Sequence, residues 1–169
     1  MIDEFYTCKF DKFAMPVKAA FAATVGSYMD EYGVCEPYES QKDAVISEFG
    51  VSYRQWQINF SESYMKPMYG KDIFGKLFTL RNGIAHPYIV VSDSGFIEEF
   101  DKVVAYYGKE NVLLARIIRK GCDFTGDSRT YIDPAEGHVL LNNDGTKEQF
   151  ATKVVDLAER FFNNNNWRA

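Results

Sequence analysis

Within LFTLRNGIAHPY, residues 77 to 88, Arg81 precedes His86 by five positions, Asn82 follows the arginine directly, and Tyr88 stands two past the histidine. A guanidinium keeps its charge at any working pH, whereas an imidazole exchanges protons near neutrality. Together they suit a reaction in which a proton moves beside a group that gains negative charge. In phosphoryl chemistry His86 would act as general base or acid, and Arg81 would stabilise charge building on nonbridging oxygens. Each residue also has a structural account. Arg81 could pair with Glu48 or Glu62, or pack its stem while its head reaches solvent, and His86 could satisfy carbonyls at a helix end.

Other polar residues carry less. Arg116, Arg119 and Lys120 are spaced three and four apart, so on a helix they share a face that binds phosphate or simply ends a solvated helix. His138 has no Cys or His at ligand spacing, and NNDGT, residues 142 to 146, lacks the acidic spacing of a calcium loop, so no metal and no cofactor is expected. Cys8, Cys35 and Cys122 are odd in number and match no zinc or redox motif, which predicts reduced thiols in a cytoplasmic protein.

The elements that must position Arg81 and His86 come next. Taking about 100° per residue, Leu80, Ile73, Ile84, Leu77, Phe74, Ala85 and Phe78 cover one apolar arc on a helix, and Arg81 falls inside it. Lys76, Thr79, Asn82 and two glycines take the opposite side. This helix is expected from about Lys71 towards His86, where Pro87 disfavours helical geometry at the residue before it and lets the imidazole turn. Upstream, Pro16 and the spacing of Val17, Ala20, Phe21, Val25 and Tyr28 predict a first helix ending by Gly33. Phe49, Tyr53, Trp56, Phe60 and Tyr64 share a helical face, which predicts a long helix from about Gln41 to Met65 with those rings in the core.

Downstream, Phe96 to Tyr107 and the basic-ended NVLLARIIRKG both predict helices. RTYID and HVLL are possible short strands in an insertion over residues 122 to 146, and Thr146 with Gln149 forms a capping box ahead of the last helix. Residues 163 to 169 read as a frayed tail.

Arg81, Asn82, three residues, His86, one residue, Tyr88 is similar to the signature of HEPN-domain ribonucleases: arginine, a polar residue, a short spacer, histidine. The form with four residues between arginine and histidine, and tyrosine two after, is associated with HEPN toxins paired with nucleotidyltransferase antitoxins. Pro87 stands where that family has glycine or a basic residue. The resemblance implies an all-α, HEPN-like helical bundle and metal-independent RNA cleavage at a homodimer interface, leaving a 2',3'-cyclic phosphate and a 5'-hydroxyl. It also implies that Arg81 and His86 are catalytic, that Asn82 positions the arginine or the phosphate, and that Tyr88 contacts RNA or is adenylylated by an antitoxin. The competing expectation is a noncatalytic helical interaction module in which Arg81 is an ion pair.

The whole chain bounds these readings. Its 169 residues fit one domain with a core that needs no disulfide, and a net charge of -5 excludes broad basic coating of nucleic acid while allowing a focal RNA site. No apolar run approaches membrane-spanning length, and the N-terminus lacks a signal pattern, so a soluble protein with no membrane partner is expected.

Overall fold

The computed structural model describes residues 8–84, 88–125, 129–133 and 138–164. Strand β1, Cys8–Asp11, pairs in parallel with β4, Tyr88–Val91, placing Cys8 opposite Tyr88 and Asp11 opposite Val91. Parallel partners require a long crossover. Here it contains α1 (Met15–Thr24), a hairpin of β2 (Val45–Ile46) and β3 (Val51–Ser52), a helical run, and α4 (Ile73–Asn82). The helical run is α2 (Tyr53–Asn59), a π-helical segment (Phe60–Met65) and α3 (Lys66–Tyr69). After β4 come α5 (Ile97–Tyr107), β5 (Ala115–Ile118), β6 (Val139–Asn142) and α6 (Lys147–Asn164).

This is a mixed α/β protein, which overturns the all-α bundle expected from the sequence. Among the described residues the strands form three two-stranded sheets. NVLLARIIRKG does not make a helix: β-branched Ile117 and Ile118 favour a pleated strand, and the apolar run is too short to repay helix nucleation. β5 pairs in parallel with β6, Arg116 opposite Leu140, so Val139, Leu140 and Leu141 of HVLL lie in a strand as expected, whereas RTYID, residues 129–133, forms none. Residues 134–137, between those two stretches, lie outside the described residues.

The helix expected from Gln41 begins only at Tyr53. Gly50 turns the chain at φ +66°, and Ser52 caps the new helix by accepting from the Gln55 amide at 3.1 Å. Its aromatic face still enters the core, because Phe21 of α1 meets Tyr53 at 4.6 Å and Trp56 at 5.2 Å between ring centroids. At the outer end Tyr64 is half-exposed. A second cluster joins Phe13 and Val17 to Phe74, Phe78 and Val103, with Phe13 and Phe78 at 5.2 Å. Burying each such phenylalanine contributes about 2–3 kcal/mol.

α1 is shorter than predicted and stops at Thr24, but it has Pro16 in its first turn. The Ala14 side chain cannot cap it, so Asp93 does so from the segment after β4, accepting from the Phe13 amide at 2.8 Å and the Ala14 amide at 3.0 Å. α5 is as expected and closes at Gly108. The capping box of α6 is formed, with the Gln149 amide donating to Thr146 Oγ1 at 3.3 Å and the Thr146 amide to Gln149 Oε1 at 3.0 Å. That helix runs through Asn164; the rest of the expected tail lies outside the described residues. No helix among the described residues is long and apolar enough to cross a membrane.

α4 docks through a different face from the one its hydrophobicity suggests. Phe74 and Phe78 are buried, but so are Gly75, Thr79 and Asn82, whereas Leu80 is 79% and Ile84 90% exposed. Gly75 explains the rotation. A Cβ there would lie 2.8 Å from the Glu99 carbonyl oxygen and 2.9 Å from Lys102 Cβ, so the missing side chain lets α5 approach the small-residue face. The helix ends at Asn82, earlier than expected, because Gly83 turns at φ +51° and donates its amide to the Thr79 carbonyl at 2.8 Å.

Candidate functional site

Side chains on β1 alternate across its two faces, so Lys9 and Asp11 point the same way, towards the end of α4. Asp11 is 4% exposed and serves as the hub. Arg81 Nη2 lies 3.2 and 3.3 Å from the two carboxylate oxygens and donates to the Lys12 carbonyl at 2.9 Å. Asn82 Nδ2 donates to Asp11 Oδ2 at 2.6 Å and to the Phe78 carbonyl at 3.0 Å. The Lys12 amide donates to Asp11 Oδ1 at 2.7 Å. Burial of this carboxylate is therefore offset by a full set of donors, one of them cationic.

On the far side of Asn82, Lys9 Nζ donates to Oδ1 at 2.6 Å. This fixes the amide orientation, since Oδ1 must face the ammonium and Nδ2 the carboxylate. Asn82 is 2% exposed and shares the Asp11 carboxylate with Arg81, so it is not placed to contact a ligand itself.

Arg81 keeps 28% of its side chain accessible. It is ion-paired, but to Asp11 rather than to Glu48 or Glu62, and through one nitrogen only. Among the described residues its Nε and Nη1 have no hydrogen-bond partner, so part of the guanidinium remains able to donate. A groove beside it is lined by Met15, Pro16, Ala19, Leu77 and Leu80, and a second depression by Phe10, Asp11, Lys12, Met15, Tyr32 and Ser92. Lys12 is turned away, its Nζ donating to the Tyr32 carbonyl at 2.7 Å. His86, with Ala85 and Pro87, lies outside the described residues. Tyr88 opens β4 and packs its ring against Phe162 of α6 at 4.1 Å between centroids.

The other predicted RNA-binding residues separate. Arg116 sits on a strand, not on a helical face with Arg119 and Lys120. Its Nη1 lies 3.4 Å from Asp133 Oδ1 and 2.9 Å from His138 Nε2, and its guanidinium stacks over Tyr131 at 4.9 Å. Because a guanidinium only donates, His138 Nε2 must accept, which puts the imidazole proton on Nδ1, 3.6 Å from Asp133. Arg119 and Lys120 are exposed after β5, where the Lys120 amide donates to Asp144 at 2.6 Å. That bond, with one from Asn142, holds the Asp144 carboxyl below its usual range. Among the described residues no group of His, Cys, Asp or Glu could hold a metal ion.

Asp11 and Lys9 were not evident from the sequence. The only signal for them is the alternation in CKFD, and it is inverted: Phe10 is 40% exposed and Asp11 buried. A third polar group also went unseen. Glu99 on α5 is 2% exposed, and burial raises its carboxyl to about 8 against the opposing pull of Lys66. Lys66 itself is buried, 2.7 Å from Glu62 and 3.4 Å above the Phe96 ring. The chain matches no protein-family model and no curated protein.

Proposed function

We propose that the chain is a metal-independent endoribonuclease whose Arg81–His86 motif works as in HEPN ribonucleases, on a mixed α/β fold rather than their all-α bundle, acting in the cytoplasm in a toxin-antitoxin or similar defence role. The observation that carries this reading is Arg81: partly exposed, held by a buried carboxylate through one nitrogen, and followed within the same short stretch by His86. In this reaction His86 takes the proton of a ribose 2'-hydroxyl, and that oxygen attacks the adjacent phosphorus. Arg81 stabilises the charge gathering on the nonbridging oxygens. The bond to the 5' oxygen breaks, that oxygen takes up a proton, and the products carry a 2',3'-cyclic phosphate and a 5'-hydroxyl.

The protein would work as a homodimer, bringing two copies of the motif together, with the exposed Leu80 and Ile84 beside Arg81 supplying apolar surface for the contact. Arg119 and Lys120 would add long-range attraction for RNA. Tyr88 is the candidate for adenylylation by a nucleotidyltransferase antitoxin. A second reading has its own observation. The Asp11 to Arg81 pair joins β1 to α4, a purely structural task, and would suit a noncatalytic interaction module.

Cleavage of labelled total RNA in EDTA, by the wild type and by His86→Ala, separates the two. The nuclease reading requires products from the wild type alone, with cyclic phosphate ends. Equal cleavage by both proteins, or loss of cleavage in EDTA, refutes it; no cleavage by either favours the interaction module.

A further inference from the structure

Lys9 is a partly buried ammonium whose hydrogen bond goes to a neutral amide oxygen, Asn82 Oδ1 at 2.6 Å. Among the described residues no carboxylate pairs with it. Removing an ammonium from water costs free energy that a neutral acceptor offsets poorly, so the arrangement leaves positive charge in search of an anion. The same short chain of bonds runs from Lys9 through Asn82 and Asp11 to Arg81, each link fixed by a buried partner. Two cations of one small site are therefore held at a set separation around a single buried carboxylate, in a protein whose net charge is -5.

We infer that Lys9 is a second phosphate-binding residue of the Arg81 site, taking a phosphate next to the one Arg81 engages on the same RNA strand. The inference rests on the ribonuclease reading and narrows its substrate to a polynucleotide with at least one phosphate flanking the scissile one. Asn82 is the spacer between the two cations, and Lys9 contributes to binding rather than to proton transfer.

Binding of a fluorescently labelled single-stranded RNA to His86→Ala protein, measured across a range of NaCl concentrations, tests this without turnover. Lys9→Gln is expected to weaken binding and to reduce the slope of log K against log salt by about 0.7, the loss of one phosphate contact on a single strand. Lys9→Arg should restore the slope. An unchanged slope in Lys9→Gln overturns the inference, as does a Lys9→Arg protein that behaves like Lys9→Gln, which would mark Lys9 as a brace for Asn82. Acetylation of Lys9 in the His86→Ala protein, followed by mass spectrometry, should slow when RNA is added, and equal rates would count against the assignment even if a Lys9 variant fails to fold. RNA binding with an unaltered slope removes Lys9 alone; no RNA binding by the His86→Ala parent removes the nuclease reading with it.

Discussion

At the scale of single residues, the buried carboxylate of Asp11 sets what Arg81 can do. Asp11→Ala leaves Arg81 and the buried Asn82 amide without their shared acceptor; Arg81 can turn to solvent but the amide cannot, and an unsatisfied buried donor costs about 1–3 kcal/mol, measurable by urea denaturation. Asp11→Asn keeps an accepting oxygen and should lose less. Glu99 predicts a pH dependence of known sign. Burial raises its folded carboxyl to about 8 from an ordinary 4.5, with Asp93, Glu62 and Glu98 raising it further and Lys66 opposing. Between those values the folded state holds a proton that the unfolded state has released, so stability falls as pH rises from about 4.5 and levels off above about 8. Asp93, also raised by burial, acts in the same direction. Denaturation midpoints should therefore drop between pH 5 and pH 8, and Glu99→Gln should flatten much of that drop. An identical profile in the variant would show that Glu99 does not hold the proton. Of this residue-level picture, Arg81 and Asn82 could be singled out from their spacing, whereas Asp11, Lys9 and Glu99 could not. Their roles depend on neighbours 70 or more positions away, or on burial that no local pattern announces.

At the scale of elements, α4 and α5 approach closely at Gly75. Alanine would gain about 1 kcal/mol of helix propensity there, but its Cβ would press on the backbone of Glu99, which cannot swing aside like a side chain. Overpacking costs about 1–3 kcal/mol, so Gly75→Ala should be a net destabilisation, read as a lower thermal midpoint. A midpoint equal to the wild type would mean that the two helices are less tightly apposed. The same glycine explains why the helix was legible and its orientation was not. Periodicity found α4, α5 and α6 because each carries regularly spaced apolar residues, and Gly108 and Thr146 mark the end of α5 and the start of α6 locally, whereas the stop at Gly83 was passed over in favour of Pro87. It misjudged which side of α4 is inward, since an apolar arc predicts burial only when the partner helix prefers large side chains. It missed β1, β4 and β5 for another reason. Each is four residues long, too short for alternation to register, and each is stabilised by a partner distant in sequence.

At the scale of the whole molecule, Leu80 and Ile84, on either side of Arg81 in the sequence, are the large apolar residues most exposed near it, at 79% and 90%. If they form the homodimer contact, Leu80→Asp with Ile84→Asp should convert a dimer into a monomer in sedimentation, and cleavage should fall with it. A wild type that sediments as a monomer at micromolar concentration would remove the dimeric arrangement. The parallel pairing of β1 with β4 bears on kinetics. Residues 8–11 cannot find residues 88–91 until the intervening crossover has been ordered, and such long loop closures come late along a folding route. The contacts of Asp11 with Arg81 and Asn82 should then be absent from the transition state. Asp11→Asn is expected to hasten unfolding while leaving the refolding rate nearly unchanged, so its φ value should lie near zero. The bonds that organise the site are on this account the last to close and the first to open, and the chain can have most of its core in place before Arg81 is held.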